Sequence, residues 1–351
     1  MIPQPPRPHR RRSSLLRALA WLLAALLVHG CATPPPRAPA PEAPPAADGG
    51  GVLARDDDFA VVLARPGDTL ATLAERYLGD ARRDWWIAEF NDVTEIRPGQ
   101  PVVVPLASRN PIGVHGDGFQ AVTVLCYHRF GNRASKLTVT PAAFAAQMDY
   151  LARNGYHVVP LARLREFLAG KEALPKKSVV ITIDDGYRAT YDIAFPILKK
   201  HGFPATVFLY SDFVGAPDAL GFAQMKELVA SGLVEIQPHS KTHANLTLRL
   251  PDETEAAYRE RMRSEVDAPV KLIQERLALP SLAYAYPYGD VNETVVDLLA
   301  RRGVALGLTV TPGGNGFFAY PYMLRRSMVY GNEDLDSFKA RLVTFVRTAG
   351  R

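Results

Sequence analysis

Cysteine, tryptophan and long hydrophobic runs are scarce in this sequence. Its 351 residues include two cysteines, Cys31 and Cys126, which are too few for a disulfide-stapled fold. Cys126 lies in the apolar run AVTVLCYH, so we expect it to be a buried core residue. The apolar run near the N-terminus, residues 18–28, is eleven residues long, whereas a membrane-spanning helix needs about 20. Neither a disulfide scaffold nor a transmembrane helix at this position is therefore expected.

Excess positive charge is confined to the N-terminus. The formal net charge is +5, but five arginines lie within the first thirty residues, which contain no acid. Without these five the chain has 36 basic and 36 acidic residues. A basic nucleic-acid-binding face is therefore not expected, and we predict no nucleic-acid partner.

The N-terminal arginines and the apolar run have the pattern of a secretory signal peptide, which we place at residues 1–30 and which predicts export. The run ends in VHGC, residues 28–31, which resembles the lipobox of bacterial lipoproteins. The resemblance implies that Cys31 is acylated and anchors the chain to a membrane of the cell envelope. Ala32 in the next position implies the outer membrane if the cell is Gram-negative. Plain secretion, with Cys31 as an ordinary thiol, is the alternative.

Two further segments precede the main part of the chain. Residues 31–57 are rich in proline, alanine and glycine and have no apolar periodicity, so we predict a lipidated, extended tether. Residues 58–107 begin with a strand pattern, continue with helix-spaced apolar residues and a second helix around Trp86, and end in the strand-like PVVVP. This order predicts a small β-α-α-β domain.

The small domain resembles a LysM module over its whole length. The resemblance rests on the residues GDTL after the first strand, Asn91 after the second helix, and the residues IRPGQ before the last strand. It implies binding to glycans that contain N-acetylglucosamine, such as peptidoglycan. The alternative is a small structural domain in which Trp85 and Trp86 only pack.

From about residue 120 onward, strand and helix patterns alternate. We predict strands at residues 121–127, 178–183, 205–210, 234–237, 282–286 and 304–310. We predict helices at residues 141–155, 189–201, 222–231, 252–279 and 292–302. Such alternation favours an α/β fold with parallel strands and crossover helices, and this many units predict a (β/α)-barrel-like domain at residues 120–345. Barrels of this kind place their chemistry at the carboxyl ends of the strands.

Two of these strands end in candidate catalytic residues. The strand VVITI is followed by Asp184 and Asp185, and the strand VEIQ by His239 and, four residues later, His243. Two histidines and one carboxylate form a facial set of metal ligands with open positions for water and substrate. If Asp185 binds a divalent metal, Asp184 can stay ionised beside it as a general base. Taken singly, each motif has a structural alternative: a turn with a helix cap, or a surface histidine pair.

The motifs TIDDG (182–186), HSKTH (239–243) and YPYG (286–289) resemble the signature motifs of the polysaccharide deacetylases, the NodB-homology or carbohydrate esterase 4 family. The resemblance covers about residues 120–340. It implies a divalent metal, usually zinc, held by Asp185, His239 and His243. It further implies that Asp184 takes a proton from the water that attacks the carbonyl of an N-acetyl group on a sugar. The backbone N–H of Tyr288 is then expected to donate to the tetrahedral oxyanion.

The sequence departs from the family pattern at the arginine that pairs with the base aspartate. The family often has an arginine, paired with the base aspartate, at the position where this chain has Ala285. We expect Arg325 to supply that charge, with Arg326 as the alternative.

The general acid and the sugar-stacking residues also differ. No histidine follows His243, but the opening LCYHRF resembles the poly-β-1,6-N-acetylglucosamine deacetylases, in which an early histidine replaces the late one. We therefore assign His128 as the general acid, the alternative being a histidine that stabilises the barrel rim. No tryptophan follows Trp86, so we expect the sugar to stack on Tyr187, Tyr286 or Tyr288.

These features together predict metal-dependent N-deacetylation of N-acetylglucosamine residues in a cell-envelope or exported polysaccharide, either peptidoglycan or poly-N-acetylglucosamine. The alternative from another class is a catalytically inactive glycan-binding lipoprotein, suggested by Ala285 and the missing late histidine. An iron oxygenase site is a third interpretation of two histidines and one carboxylate, but the strand-helix alternation around the ligands disfavours it.

Overall fold

The computed structural model describes residues 51–108 and 110–348. The predicted signal peptide, Cys31 and most of the predicted tether lie outside this part of the chain. Among the described residues, no helix is both long enough and apolar enough to cross a membrane.

A small N-terminal domain contains a three-stranded antiparallel sheet, in the order β1-β2-β3, and two helices. Its elements are β1 (Val52–Arg55), β2 (Phe59–Leu63), α1 (Leu70–Leu78), α2 (Asp84–Asn91) and β3 (Pro101–Pro105). The predicted β-α-α-β order is present, but β1 lies within residues 31–57, where we expected only tether. That boundary was wrong because β1 pairs with β2, placing Val52 opposite Val62, and the composition of the segment does not reveal such a partner.

Polar side chains fix both helices of this domain. Thr69 and Thr72 cap α1 reciprocally: each hydroxyl accepts from the other residue's backbone N–H, at 3.1 and 2.8 Å. At the end of α2, the amide of Asn91 donates to the carbonyl of Val103 at 2.7 Å and accepts from its N–H at 2.9 Å. Asn91 therefore ties α2 to β3, which explains why an asparagine follows the second helix.

The larger domain is a mixed α/β structure. Its strands are β4 (Val114–His115), β5 (Gly118–Gln120), β6 (Val122–Tyr127), β7 (Arg129–Phe130), β8 (Thr138–Val139), β9 (His157–Val158), β10 (Ser178–Asp185), β11 (Ala205–Leu209), β12 (Val234–Pro238), β13 (Ala283–Ala285), β14 (Leu306–Leu308), β15 (Gly314–Asn315), β16 (Ser327–Met328) and β17 (Phe345–Arg347). Its α-helices are α3 (Pro141–Arg153), α4 (Leu161–Leu168), α5 (Phe195–His201), α6 (Phe222–Ala230), α7 (Glu255–Leu277), α8 (Glu293–Arg301) and α9 (Leu335–Ala340).

The central strands nearly close into a ring. Strands β12, β11, β10 and β6 are parallel neighbours in that order, and β16 pairs in parallel with β6. The parallel pair β13 and β14 bridges the remaining gap. On one side, the side-chain Oε1 of Gln237 in β12 accepts from the backbone N–H groups of Leu282 and Ala283 at 2.8 and 3.1 Å. On the other side, Leu308 of β14 forms a bridge with Leu324, which precedes β16. The predicted mixed α/β architecture is therefore confirmed.

Strand β10 is the central strand of the sheet that forms most of this ring. All eight of its residues are buried, as expected for a β-branched strand that has parallel neighbours on both sides. Each predicted strand and helix of this domain has a counterpart, although a π-helical turn, Thr190–Ala194, replaces the first part of the helix predicted at 189–201. The short helices α4 and α9 were not predicted.

The small domain contacts the larger one near the start of β10. Glu89 of α2 is half-buried and accepts from the backbone N–H of Lys176 at 2.8 Å, two residues before β10 begins. With a rise of about 3.3 Å per residue, the eight-residue strand β10 is itself roughly 23 Å long, and this contact lies before its first residue.

Candidate active site

The residues predicted to carry chemistry meet at the carboxyl ends of the parallel strands. Asp184 and Asp185 end β10, His239 follows β12, and His128 follows β6. Tyr288 follows β13 in a short 3₁₀ turn. Parallel strands bring these ends together although the residues lie far apart in the sequence.

Asp185, His239 and His243 form one cluster whose ligand atoms all lie within 4.8 Å of one another. Oδ1 of Asp185 is 3.6 Å from Nε2 of His239 and 3.3 Å from Nε2 of His243. The Nδ1 atom of His239 lies 2.7 Å from the carbonyl oxygen of Ala285, which can only accept, so Nδ1 carries the proton and Nε2 presents its lone pair. Burial lowers the pKa of His239 to about 4, which keeps the ring neutral.

This donor set fits a divalent metal. Oδ1 of Asp185 is buried and lacks a hydrogen-bond partner among the described residues, a costly state unless a cation compensates it. Two imidazoles and one carboxylate are a donor set typical of zinc and similar ions, and an imidazole ligand commonly has its second ring nitrogen fixed by a hydrogen bond, as His239 does here. The predicted ligand set is thus brought together by the fold.

The backbone at this cluster is strained. Seven non-glycine residues in the described part of the chain have a positive φ, and four of them lie at the site: Asp185, Ser240, His243 and Tyr288. Such conformations cost about 1–3 kcal/mol each and persist where the surrounding structure holds them, often at functional sites. At the neighbouring Gly186, with φ +79°, a Cβ atom would lie 2.9 Å from Cβ of Leu209, so this position requires glycine.

Asp184 has a different environment from Asp185. Its Oδ1 accepts from Nη1 of Arg326 at 2.7 Å, and both side chains are buried. Burial alone would raise the pKa of Asp184, but the guanidinium of Arg326, with smaller effects of His239 and His128, holds it well below the usual range. Asp184 is therefore ionised and oriented, as a general base must be.

The prediction of Arg325 as the partner of Asp184 was wrong, and its alternative, Arg326, takes that place. Arg325 is exposed and donates to the carbonyl of Pro312 at 3.0 Å. Adjacent residues of an extended chain point to opposite faces, so only one of the two arginines can face the strand ends. Nε of Arg326 also donates to the carbonyl of Thr309 at 2.8 Å, which fixes its position.

His128 and Cys126 lie on the other side of Asp184. A ring nitrogen of His128, the Cys126 Sγ atom and a carboxylate oxygen of Asp184 are all within 4.8 Å of one another. Cys126 is buried, as predicted, and its thiol donates to Oδ2 of Asp184 at 3.4 Å. The contact was missed, although Cys126 lies two residues before His128 and therefore faces the same side of the extended chain.

Aromatic rings surround the open side of the cluster. The ring of Tyr288 is 61% exposed and its centroid is 5.0 Å from that of His243. Tyr210 lies 5.4 Å from His243 on another side and stacks on Phe213, which also contacts Tyr187. Tyr187 and Tyr288 thus lie where a sugar could reach them. Tyr210 and Phe213 were not predicted, because neither belongs to one of the three signature motifs.

Tyr286 does not belong to this aromatic surface. Its ring is fully buried, and its hydroxyl donates to the carbonyl of Tyr322 at 3.0 Å. The expectation that Tyr286 could stack on a sugar was therefore wrong. Tyr286 and Tyr288 differ because the backbone turns at Tyr288, where φ is +62°.

Comparison with known proteins agrees with the geometry. Residues 171–307 match the family model described as polysaccharide deacetylase. The Bacillus subtilis protein YxkH, named for a polysaccharide deacetylase, is 30% identical over 206 residues, which are 59% of this chain and 70% of that protein. The poly-β-1,6-N-acetyl-D-glucosamine N-deacetylase of Escherichia coli K12 is 27% identical over 268 residues, but the match covers 65% of this chain and only 39% of that protein.

A solved structure has the same fold over most of its length. IcaB from Ammonifex degensii superposes with a TM-score of 0.57 and is 29% identical, covering 65% of this chain and 96% of that protein.

Proposed function

The chain belongs to the polysaccharide deacetylase family, whose members are hydrolases acting on amide bonds, and we propose that it removes acetyl groups from N-acetylglucosamine residues of an exported or cell-envelope polysaccharide. The preferred substrate is poly-β-1,6-N-acetylglucosamine, because the E. coli relative named for that polymer aligns over 65% of this chain. Peptidoglycan is the second candidate, favoured by the LysM-like pattern of residues 58–107.

The observation that carries this proposal is the contrast between two adjacent carboxylates. Oδ1 of Asp185 is buried, has no hydrogen-bond partner in the described part of the chain and lies beside two imidazoles, whereas Oδ1 of Asp184 is paired with Arg326. One carboxylate is thus suited to hold a cation, and the other to accept a proton.

Asp185, His239 and His243 would hold the metal, most simply zinc. When bound, such an ion supplies Lewis acidity, which polarises a carbonyl group and lowers the pKa of a water molecule. The carbonyl of Ala285 keeps His239 oriented through Nδ1.

The chain's own residues divide the proton transfers of amide hydrolysis between them. Asp184 accepts a proton from water as the water oxygen attacks the acetyl carbonyl carbon, and Arg326 keeps this carboxylate ionised. The Tyr288 N–H, which is free of backbone acceptors among the described residues, donates to the developing oxyanion. Loss of one such donor typically costs about 10²–10³ in rate. His128 donates a proton to the sugar nitrogen as the C–N bond breaks, which releases acetate and a free amine.

The regions before the catalytic domain extend the proposal. The small domain would bind peptidoglycan or a related glycan, and a lipid on Cys31 would hold the enzyme at the cell envelope. Tethering of this kind raises the local concentration of substrate without any new contact at the active site.

The alternative hypothesis, a catalytically inactive glycan-binding lipoprotein, is no longer supported. It depended on Ala285 and on the missing late histidine, and Arg326 and His128 occupy positions from which they can replace both groups.

The test is acetate release by the full chain, with zinc supplied, from peptidoglycan and from β-1,4- and β-1,6-linked N-acetylglucosamine oligomers. We expect release that is highest from the β-1,6 oligomer and absent in Asp185→Ala. No release from any of these substrates by a protein that binds zinc would contradict the proposal.

A further inference from the structure

Glu265 is a buried acid that the mechanism above does not use. It lies in α7, is 4% exposed, and reaches the loop between the two histidines His239 and His243. Its Oε2 accepts from the backbone N–H groups of Lys241 and Thr242, both at 2.9 Å. Its Oε1 accepts from the hydroxyl of Thr242 at 2.7 Å. One carboxylate thus receives three hydrogen bonds from two consecutive loop residues.

The loop that Glu265 contacts is one that needs external support. Ser240 and His243 both have positive φ, of 77° and 61°, although neither is glycine. The His243 N–H donates to Oγ of Ser240 at 2.8 Å, which is a bond within the loop itself. Within the described residues, the N–H groups of Lys241 and Thr242 donate to no backbone carbonyl. The loop is also held from outside by the N–H groups of Ser211 and Asp212, which donate to the carbonyls of Ser240 and Lys241 at 3.1 and 2.9 Å. Without Glu265, two loop donors would lose their partner next to the strained residues.

The backbone of Glu265 is also held. Pro269 lies four residues later inside α7 and has no N–H, so the carbonyl of Glu265 lacks its helical donor. The Tyr284 hydroxyl, from β13, donates to this carbonyl at 3.3 Å. Glu265 is thus fixed through its backbone by one strand of the ring while its side chain fixes the histidine loop.

We propose that Glu265 is a positioning residue that sets the separation and orientation of His239 and His243, and thereby the affinity of the site for its divalent metal. This inference rests on the proposed metal site. The side chain of Glu265 acts on the two histidines through Lys241 and Thr242, the loop residues that lie between them in the chain. Groups that orient metal ligands in this way typically contribute about 10- to 100-fold to metal affinity or activity.

The test measures Zn²⁺ affinity of the folded full chain by competition with a coloured chelator. Glu265→Met fills a similar volume but accepts no hydrogen bond, and we expect it to bind Zn²⁺ about 10- to 100-fold more weakly. Glu265→Gln keeps one oxygen for the two N–H groups, and its amide can donate to the Thr242 hydroxyl. We expect this variant to stay within a few-fold of wild type, and the Co²⁺ absorption spectrum to change in the Met variant but not in the Gln variant.

The control is Gln120→Ala. Gln120 is a buried residue that donates to the carbonyls of Leu174 and Pro175, near the start of β10. This change should lower the melting temperature and leave Zn²⁺ affinity unchanged. Unchanged Zn²⁺ affinity in Glu265→Met, or an equal loss of Zn²⁺ affinity in Gln120→Ala, would overturn the inference about Glu265 but not the proposed metal site. A wild-type chain that binds no Zn²⁺ would overturn the proposed metal site as well.

Discussion

The two ends of β10 differ in how their polar groups are hydrogen-bonded by the described residues. At the start, the Ser178 hydroxyl donates to the carbonyl of Pro175 at 2.7 Å, and the Lys176 N–H donates to Glu89 of the small domain. At the end, Asp184 and Asp185 are adjacent carboxylates, and Asp185 combines a positive φ with a buried oxygen that has no hydrogen-bond partner among the described residues. One end of the strand thus lies at the contact with the small domain, and the other end lies at the candidate active site.

This difference separates stability from activity within one element. Backbone strain costs free energy and persists only where the surrounding structure holds the strained conformation. A buried polar atom without a hydrogen-bond partner also costs free energy, and a bound ligand can offset that cost. Substitutions at the carboxyl end of β10 should therefore reduce catalysis, and substitutions at its start should reduce stability alone.

The largest effect is expected at Arg326. Arg326→Ala leaves Asp184 buried without its partner, which typically costs about 3–5 kcal/mol of unfolding free energy, and it should reduce kcat/KM for acetate release by at least about 100-fold. Arg325→Ala is the matched control, because the side chain of Arg325 is exposed and donates to the carbonyl of Pro312 rather than to Asp184. Equal and small losses in both variants would contradict the pairing.

The pH profile sharpens the same test. In the folded protein the pKa of Asp184 lies below its usual value, because Arg326 outweighs burial, so the pair contributes stability above about pH 4 and loses it as the pH falls through the folded pKa. Without Arg326, burial dominates and raises that pKa. The acid limb of kcat/KM for Arg326→Ala should therefore move to higher pH, and an unmoved limb would contradict the assignment.

At His128, which lies beside Asp184, we expect a loss of turnover without the loss of stability expected for Arg326→Ala. His128→Gln keeps a hydrogen-bonding side chain but cannot donate a proton as an acid, so kcat should fall by about 10²–10⁴ while the melting temperature changes little. The control His115→Ala alters an exposed histidine of β4 and should leave turnover unchanged. Near-normal turnover in His128→Gln would instead favour a histidine that only stabilises the rim.

The smallest effect is expected at Glu89, at the start of β10. Glu89→Ala removes the acceptor of the Lys176 N–H and should lower the unfolding free energy by about 1–3 kcal/mol with kcat unchanged. Burial raises the pKa of Glu89 above its ordinary 4.5, so its ionisation costs stability as the pH rises through the folded pKa. Glu89→Gln should consequently gain stability relative to wild type between about pH 4 and pH 7. Lost activity in either variant would show that the two ends of β10 are not independent.

The carboxyl end of β10 was largely predictable from the sequence, because each motif directly follows a strand pattern and parallel strands converge at one edge. Asp184, Asp185, His239 and His243 could be placed together on that ground alone. The choice between Arg325 and Arg326 could not be made, because it depends on which residue of an extended segment faces inward. The bonds from Glu265 to Lys241 and Thr242 were not foreseen either, since they join a helix and a loop by packing that leaves no periodic signal.

The small domain and its contact with the start of β10 were less predictable. Strand β1 was assigned to the tether because its pairing with β2 depends on a tertiary contact and not on composition. The contact of Glu89 with Lys176 likewise joins two domains whose patterns were interpreted separately.

The central claim is that adjacent carboxylates have separate roles, Asp185 in metal binding and Asp184 as the base. The most direct measurement is zinc content together with acetate release for Asp184→Asn and Asp185→Ala, prepared as the full chain alongside wild type. The account predicts that Asp184→Asn binds zinc as wild type does but releases no acetate, and that Asp185→Ala neither retains zinc nor releases acetate. Full activity in Asp184→Asn, or wild-type zinc content in Asp185→Ala, would contradict it.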